Sequence, residues 1–243
     1  MARSIATTRS IATNRLAVRD MPFSLSFPNS NNNRAEVPSG GFDPSSTSDF
    51  TILVWINRLY DRGTAGVIFS QEDGAGTGKN LFAIKDSDKT LQGTFDSTVN
   101  TGVIIHKNKP YMVGLRHRLS DGQVDFWVDN SNVKSASISM LSADGDFRIG
   151  QGKATGNQVF AGLLTNFLFF KRRLSDAEML QAYVAGTHDR TDLYREYLMT
   201  TGSGTNLVDT SGNSVDGTLV GSVTWSTKTP FKVRTATTSR TVI

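Results

Sequence analysis

The sequence predicts an all-β fold, an antiparallel sandwich of two sheets with one short helix and extended N- and C-terminal arms. Three observations carry this. Short apolar, β-branched and aromatic runs recur between clusters of Gly, Pro, Asn, Asp and Ser at the close spacing of a sandwich. Residues 159–170 are almost wholly apolar, over a length that suits a buried strand better than a helix. Ser175-Asp176-Ala177-Glu178 follows, an N-cap Ser with a Glu three residues on, so that each side chain can satisfy an orphan amide of a helix running to about Tyr183 and stopping at Gly186. A chain of 243 residues can bury a substantial core, and a sandwich of that size is commonly one domain. The expected division is a basic arm at 1–20, the sandwich at 21–227 and a second basic arm at 228–243.

Each element has its own signal. Residues 23–27 alternate apolar and polar, and a turn-rich stretch leads to Ala35-Glu36-Val37. Residues 40–48 read as loop, and 50–56 as a strand whose Trp55 packs in or beside the core rather than presenting its ring to a sugar. Residues 65–70 and 81–85 read as strands joined by 71–80. The glycine-rich run inside that connection is no phosphate loop, because Asp73 stands where the first Gly is needed and Asn80 where Ser or Thr is needed. Strands are expected at 90–95, 102–106, 110–119, 123–128 and 134–139. In 123–128 the alternation puts Val124, Phe126 and Val128 on one face, with Asp125, Trp127 and Asp129 on the other. Residues 147–150 make a strand and 152–157 a loop. After the helix, 191–199 is mixed and 201–225 rich in turn residues, with Asp209-Thr210-Ser211-Gly212-Asn213 read as a turn.

In order, Gly150, Phe160, Gly162, Leu164, Phe167, Phe169, Leu174, Ser175, Asp176, Ala177 and Glu178 match the register of the laminin-G-like jelly rolls of the concanavalin A-like lectin/glucanase and pentraxin superfamily. The chain resembles that family over roughly residues 22–225. FTILVWI at 50–56, PYMVGL at 110–115 and DFWVDN at 125–130 look like its successive strands and hairpin, and 201–225 resembles a segment that in the family usually precedes the sandwich. The resemblance implies a jelly roll. Because chain ends in such a domain lie close together, it also implies that 201–225 closes the fold beside the 23–27 strand.

Charge is concentrated at the ends. Residues 1–20 carry Arg3, Arg9, Arg15 and Arg19 against Asp20, a balance of +3, while Lys228, Lys232, Arg234 and Arg240 give the last sixteen residues +4. From the overall +4 this leaves the body at −3. A uniformly basic nucleic-acid surface is therefore not indicated, and the arms lack interleaved aromatics that would stack bases. There is no Cys, so disulfides and thiolate metal sites are excluded. No apolar run approaches the ~18 residues of a membrane span, and the N-terminal stretch has no apolar core of a signal peptide, so a soluble, leaderless chain is expected.

Chemistry-bearing patterns are absent. His106, His117 and His188 lie far apart in unrelated contexts, without a metal-binding or nucleophile motif around them. The two-Glu strand pattern of the superfamily's glycoside hydrolases does not occur. The family's calcium position, just after Gly150-Gln151, carries Gly152, Lys153 and Ala154, and the further acidic position is Leu163, so the inherited site is read as lost. Glu72, Asp73, Asp86 and Asp88 read as solvated loop acids, and no cofactor is expected.

The reading that remains is a non-catalytic interaction protein, expected to be a bacteriophage virion surface or decoration protein, made in the cytoplasm and joined through its arms to other protein subunits. The alternative is a lectin-like module binding a cell-surface glycan. In family register Phe167 and Phe169 point inward, placing Asn166, Leu168 and Phe170 outward, so Leu168 and Phe170, with Arg3, Arg9, Arg15, Arg19, Arg234 and Arg240, are the expected partner contacts. Deleting residues 1–20 is expected to weaken assembly in light scattering while leaving the melting of the sandwich unchanged.

Overall fold

The computed structural model describes residues 22–71, 80–143, 145–152, 157–186 and 188–230. Arg3, Arg9, Arg15, Arg19, Arg234 and Arg240 lie outside them, as do Glu72, Asp73, Lys153 and Ala154. Within them the chain forms β1 (Ser24–Phe27), β2 (Arg34–Val37), β3 (Phe50–Arg58), β4 (Gly66–Gln71), β5 (Asn80–Ile84) and β6 (Thr90–Thr94). It continues with β7 (Thr98–Ile104), β8 (Pro110–Arg118), β9 (Gln123–Val128), β10 (Ser131–Ser137), β11 (Phe147–Ile149) and β12 (Gly162–Phe170). Helix α1 (Asp176–Ala185) precedes β13 (Leu193–Tyr197), β14 (Asn206–Leu207), β15 (Gly217–Val220) and β16 (Thr224–Ser226).

Two antiparallel sheets result. The first runs β10, β9, β8, β3, β12, β1, β16, with β13 also on β12; the second runs β14, β15, β2, β11, β4, β5, β6, β7. The C-terminal segment closes the fold where the sequence places it. Trp225 of β16 stands opposite Leu25 of β1, and Thr218 of β15 opposite Glu36 of β2. Three elements differ from expectation: β7 begins at Thr98, directly after the turn at 95–97, β10 begins at Ser131, and the mixed stretch after the helix contains β13. These strands carry polar residues at positions that sequence alternation alone leaves ambiguous.

The inter-sheet core takes Ile52, Val54 and Ile56 of β3, Phe126 of β9 and Leu164, Phe167 and Phe169 of β12 from one sheet, against Phe69, Phe82 and Phe147 of the other. Phe69 and Phe167 stack at 5.6 Å, while Phe147 and Phe42 meet Phe169 edge-on at 5.3 Å and 4.9 Å, geometries that aromatic quadrupoles favour.

A second apolar layer lies on the outside of the first sheet. Leu53, Trp55, Met112, Trp127, Leu168 and Phe170 project from the sheet, and Leu174, Met179, Ala182 and Tyr183 of α1 and its lead cover them. Trp55 stacks on Tyr183 at 5.6 Å and 9°. The expectation of an external partner at Leu168 and Phe170 is therefore corrected: both point outward from the sandwich as the register requires, but the helix that follows their strand lies across them and leaves them 1% and 0% exposed. Burying two such side chains contributes roughly 1.5–3 kcal/mol each. Trp55 is likewise buried, beside the inter-sheet core rather than in it.

Local chemistry fixes the helix in place. Ser175 caps it, accepting from the Glu178 amide, while the Glu178 carboxylate accepts from the Ser175 amide at 2.7 Å; Gly186 ends it in the left-handed region at φ 63°. Gly114 of β8 permits the approach, since a Cβ there would stand 2.6 Å from Leu53 and 3.2 Å from Met179. The Leu174 amide donates to the Thr51 hydroxyl at 2.9 Å, and that hydroxyl donates to the Arg172 carbonyl. Arg116 bridges Asp125 at 2.8 Å, the Leu174 carbonyl at 2.8 Å and Asp176 at 2.7 Å.

Leu168→Ala or Phe170→Ala is expected to cost about 2–5 kcal/mol in denaturant unfolding with no change in hydrodynamic size, the signature of a lost intramolecular contact. A second expectation concerns pH. Arg172, with burial opposing and the Ser175 amide and hydroxyl assisting, holds the Glu178 carboxyl down from 4.5 to about 2. Its contribution is complete above the ordinary value and fades as pH falls toward 2, so Glu178→Gln should flatten the acid limb of the stability curve between about pH 4.5 and 2.

Candidate ligand-binding cleft

The burial of Trp55 and Trp127 removes both rings from any external role: the first lies under Tyr183, and the second under the Arg116 guanidinium at 4.6 Å. Among the described residues the large aromatic ring that stands out of the surface is Tyr60, 50% exposed. It sits just past the end of β3, where the chain turns toward β4. The amides of Leu59 and Tyr60 both donate to the Ala161 carbonyl, at 3.0 Å and 3.3 Å, tying this turn to the lead into β12. The result is a cleft at one end of the sandwich with a floor of Val159, Phe160 and Ala161.

Polar side chains surround the ring. Arg58 donates through Nε to the Ile105 carbonyl at 2.9 Å and through Nη1 to Asp61. Asp61 also receives Lys107 at 2.9 Å and Lys89 at 3.7 Å. Lys107, and with it Arg58, holds the Asp61 carboxyl below its usual range. On the other side Arg62 donates to Asn31 Oδ1 at 2.6 Å, Asn29 Oδ1 at 3.3 Å and the Asn157 carbonyl at 3.5 Å, and Thr64 donates to the same carbonyl at 2.9 Å. Partial burial pulls the Arg62 guanidinium below its ordinary value. The cleft thus offers an aromatic face flanked by planar hydrogen-bonding groups already tied into the fold. Sequence pattern does not single it out; the signal available was an aromatic residue, an acid and an Arg together in one turn.

At the opposite end a polar cavity of about 340 Å³ is lined by Ser45, Asp96, His117, Asp121 and Ser139, without an exposed aromatic platform. Asp121 there is engaged by Arg118 at 2.6 Å, and burial lowers the His117 pKa. The histidines remain in separate surroundings: His106 is exposed, His117 packs on Phe50 at 5.0 Å, and His188 meets Phe170 edge-on at 5.4 Å with Glu196 at 3.2 Å. At the positions that correspond to the family's calcium site, Leu163 is buried and the Gln151 side chain accepts from Arg34 at 3.4 Å. Asp86 pairs with Lys89 at 2.8 Å and Asp88 with Lys85 at 3.0 Å, each within one turn. Among the described residues no group of three or more acidic or histidine side chains is placed to hold a metal ion, and no helix is long and apolar enough to cross a membrane. Asp209 organises its own turn, accepting from the amides of Glu196, Ser211 and Val215 at 3.0, 2.9 and 3.1 Å.

This architecture is that of a two-sheet lectin-type sandwich. The laminin G model of the concanavalin A-like lectin/glucanases superfamily matches residues 29–179, more than half of the chain, and the chain belongs to that family. Among solved structures, a protein of Bacteroides ovatus described as carbohydrate-binding superimposes with a TM-score of 0.70 at 18% identity, over 88% of this chain and 62% of the other. The chain therefore spans under two thirds of that protein's length. A heptameric SAP-like pentraxin from Limulus polyphemus gives a TM-score of 0.53 at 15% identity, covering 68% of this chain and 83% of the pentraxin. Domain 4 of AbnA, an extracellular arabinanase from Geobacillus stearothermophilus solved with arabinotriose, gives 0.51 at 12% identity, covering 66% and 76%. Comparison with curated proteins gives no match.

Proposed function

We propose that this chain is a non-catalytic carbohydrate-binding module and that it holds a saccharide at the Tyr60 cleft. The observation that carries the reading is the half-exposed Tyr60 ring beside Asp61, Arg62, Asn29 and Asn31, all held by interactions of their own. A pyranose or furanose ring has one face of C–H groups and a rim of hydroxyls. The C–H face packs on an aromatic ring, releasing water from both, and the hydroxyls exchange hydrogen bonds with planar amide, carboxylate and guanidinium groups that fix orientation. Because those groups are already positioned, little rotamer freedom is lost on binding. The family, and the carbohydrate-binding description of the Bacteroides ovatus structure, support this reading.

The virion-assembly expectation rested on a leaderless, Cys-free module with basic arms at both ends; the arms lie outside the described residues, and Leu168 and Phe170, the expected partner contacts, are covered by α1. No further observation favours it over saccharide binding.

Isothermal titration against a panel of plant and microbial oligosaccharides tests the proposal. At least one is expected to bind, to be released intact, and to lose roughly tenfold in affinity with Tyr60→Ala, equivalent to about 1.4 kcal/mol. The melting temperature of that variant should change little, because the ring is half in solvent and outside the hydrophobic core clusters. A panel without binders, or a Tyr60→Ala protein that binds like the wild type, would sink the assignment.

A further inference from the structure

The charges of the cleft do not cancel evenly. Arg58, Lys89 and Lys107 converge on Asp61, Lys89 also reaches Asp86, and Lys85 reaches Asp88. Arg62 is different. Its acceptors are the Asn29 and Asn31 side-chain oxygens and the Asn157 carbonyl, all neutral, so among the described residues it is the cleft's one cation without a carboxylate. Its Nε is enclosed without a hydrogen-bond partner, while Nη1 makes a single long bond and keeps a hydrogen to give. A partly desolvated guanidinium with no counter-charge is costly to hold. The two asparagines aim it while leaving its charge uncompensated, and because their oxygens face Arg62, their amide N–H groups are turned away from it and can donate elsewhere.

From this we infer that the saccharide taken by the Tyr60 cleft is an acidic one, its carboxylate received by Arg62 while the sugar ring packs on Tyr60. This rests on the carbohydrate-binding reading and adds to it the class of sugar. A carboxylate supplies the missing countercharge, accepts the remaining Nη1 hydrogen through one oxygen, and leaves its second oxygen free to accept from an Asn amide. A neutral sugar would leave Arg62 as uncompensated as before. Arg58, Lys89 and Lys107 outnumber Asp61 and Asp86 by one charge, but each already has a carboxylate partner, so the acid is expected to select Arg62, whose acceptors are all neutral.

The test compares oligogalacturonate with its fully methyl-esterified form, which keeps the sugar chain and removes the charge, alongside arrayed glucuronate-containing, sialylated, sulfated and neutral oligosaccharides. Carboxylated sugars are expected to bind at least about tenfold more tightly than ester or neutral counterparts at low salt, with the advantage shrinking as salt screens the pair. Arg62→Gln should abolish the preference without lowering the melting temperature, and Arg62→Lys should restore only part of it. The comparison of acid with ester on the wild-type protein stands even if a variant folds poorly. Tyr60-dependent binding of neutral and acidic sugars alike overturns this inference and leaves the carbohydrate reading intact. A preference confined to sulfated sugars, or an acid preference that survives in Arg62→Gln, overturns the assignment to a carboxylate at Arg62. Binding of no saccharide overturns both.

Discussion

Burial of β12 on both faces is the constraint on which the rest of the molecule depends. Its inner side chains, Leu164, Phe167 and Phe169, hold the two sheets together, and its outer ones, Leu168 and Phe170, hold the helix. Leu164 and Phe167 are three residues apart, so strict alternation would send them to opposite faces. A bulge resolves the conflict. Asn166 adopts φ 51°, a left-handed conformation that Asn tolerates better than most residues, and the register with β3 shifts by one between Thr165 and Leu168. One extra residue lets a single strand present apolar side chains to both layers.

The helix in turn depends on that outer layer. Ten residues are too few for a stable isolated helix in water, so α1 persists because Met179, Ala182 and Tyr183 are buried on the sheet. The cap sets where it starts, and a network around Asp125 sets where it lies. Asp125 is 2% exposed and receives Arg116, Arg173, Ser135 and Gln123, so its buried charge is met from several sides. Such a pair is weak evidence for net stability, but removing one partner would strand the other in a low-dielectric layer. Its role is to fix the position of the segment that covers Leu168 and Phe170.

The cleft inherits its rigidity from the same frame. Tyr60 leaves the end of β3, the strand that lies between β12 and β8, and its backbone is tied to the lead into β12. A chain without Cys cannot staple its loops, so the backbone bonds to Ala161, the Arg58 side-chain bond to the Ile105 carbonyl and the Asp61 ion pairs do that work. Placing recognition groups on loops held by a packed scaffold is the usual division of labour in a sandwich. Closure by the C-terminal segment protects the adjoining side: β16 covers β1, whose other neighbour is β12, so the far edge of this sheet is not left to the strand that leads into the Asn29 and Asn31 turn.

How much of this was legible in the sequence depends on the range of the interactions involved. Alternation in 123–128 correctly separated Phe126 from Asp125 and Trp127, and Ser175, Glu178 and Gly186 marked both ends of the helix, because pleat and capping are set within a few residues. Family register also assigned the inward and outward faces around Phe167. What covered the outward face was not legible: no local pattern says that a helix will fold back over Leu168 and Phe170, since that depends on the turn at Lys171 to Leu174, on the space left at Gly114 and on Asp125 reaching Arg173 from another strand. The cleft was invisible for the same reason. Asn29, Asn31, Tyr60, Arg62 and Asn157 are scattered over about half the chain, and only the pairing of β1 and β3 with β12 brings them together. The sequence by itself determined the elements and their faces, which short-range sterics and hydrophobic period dictate; the tertiary structure decided what each face meets, because contacts between distant residues follow from packing and not from pattern.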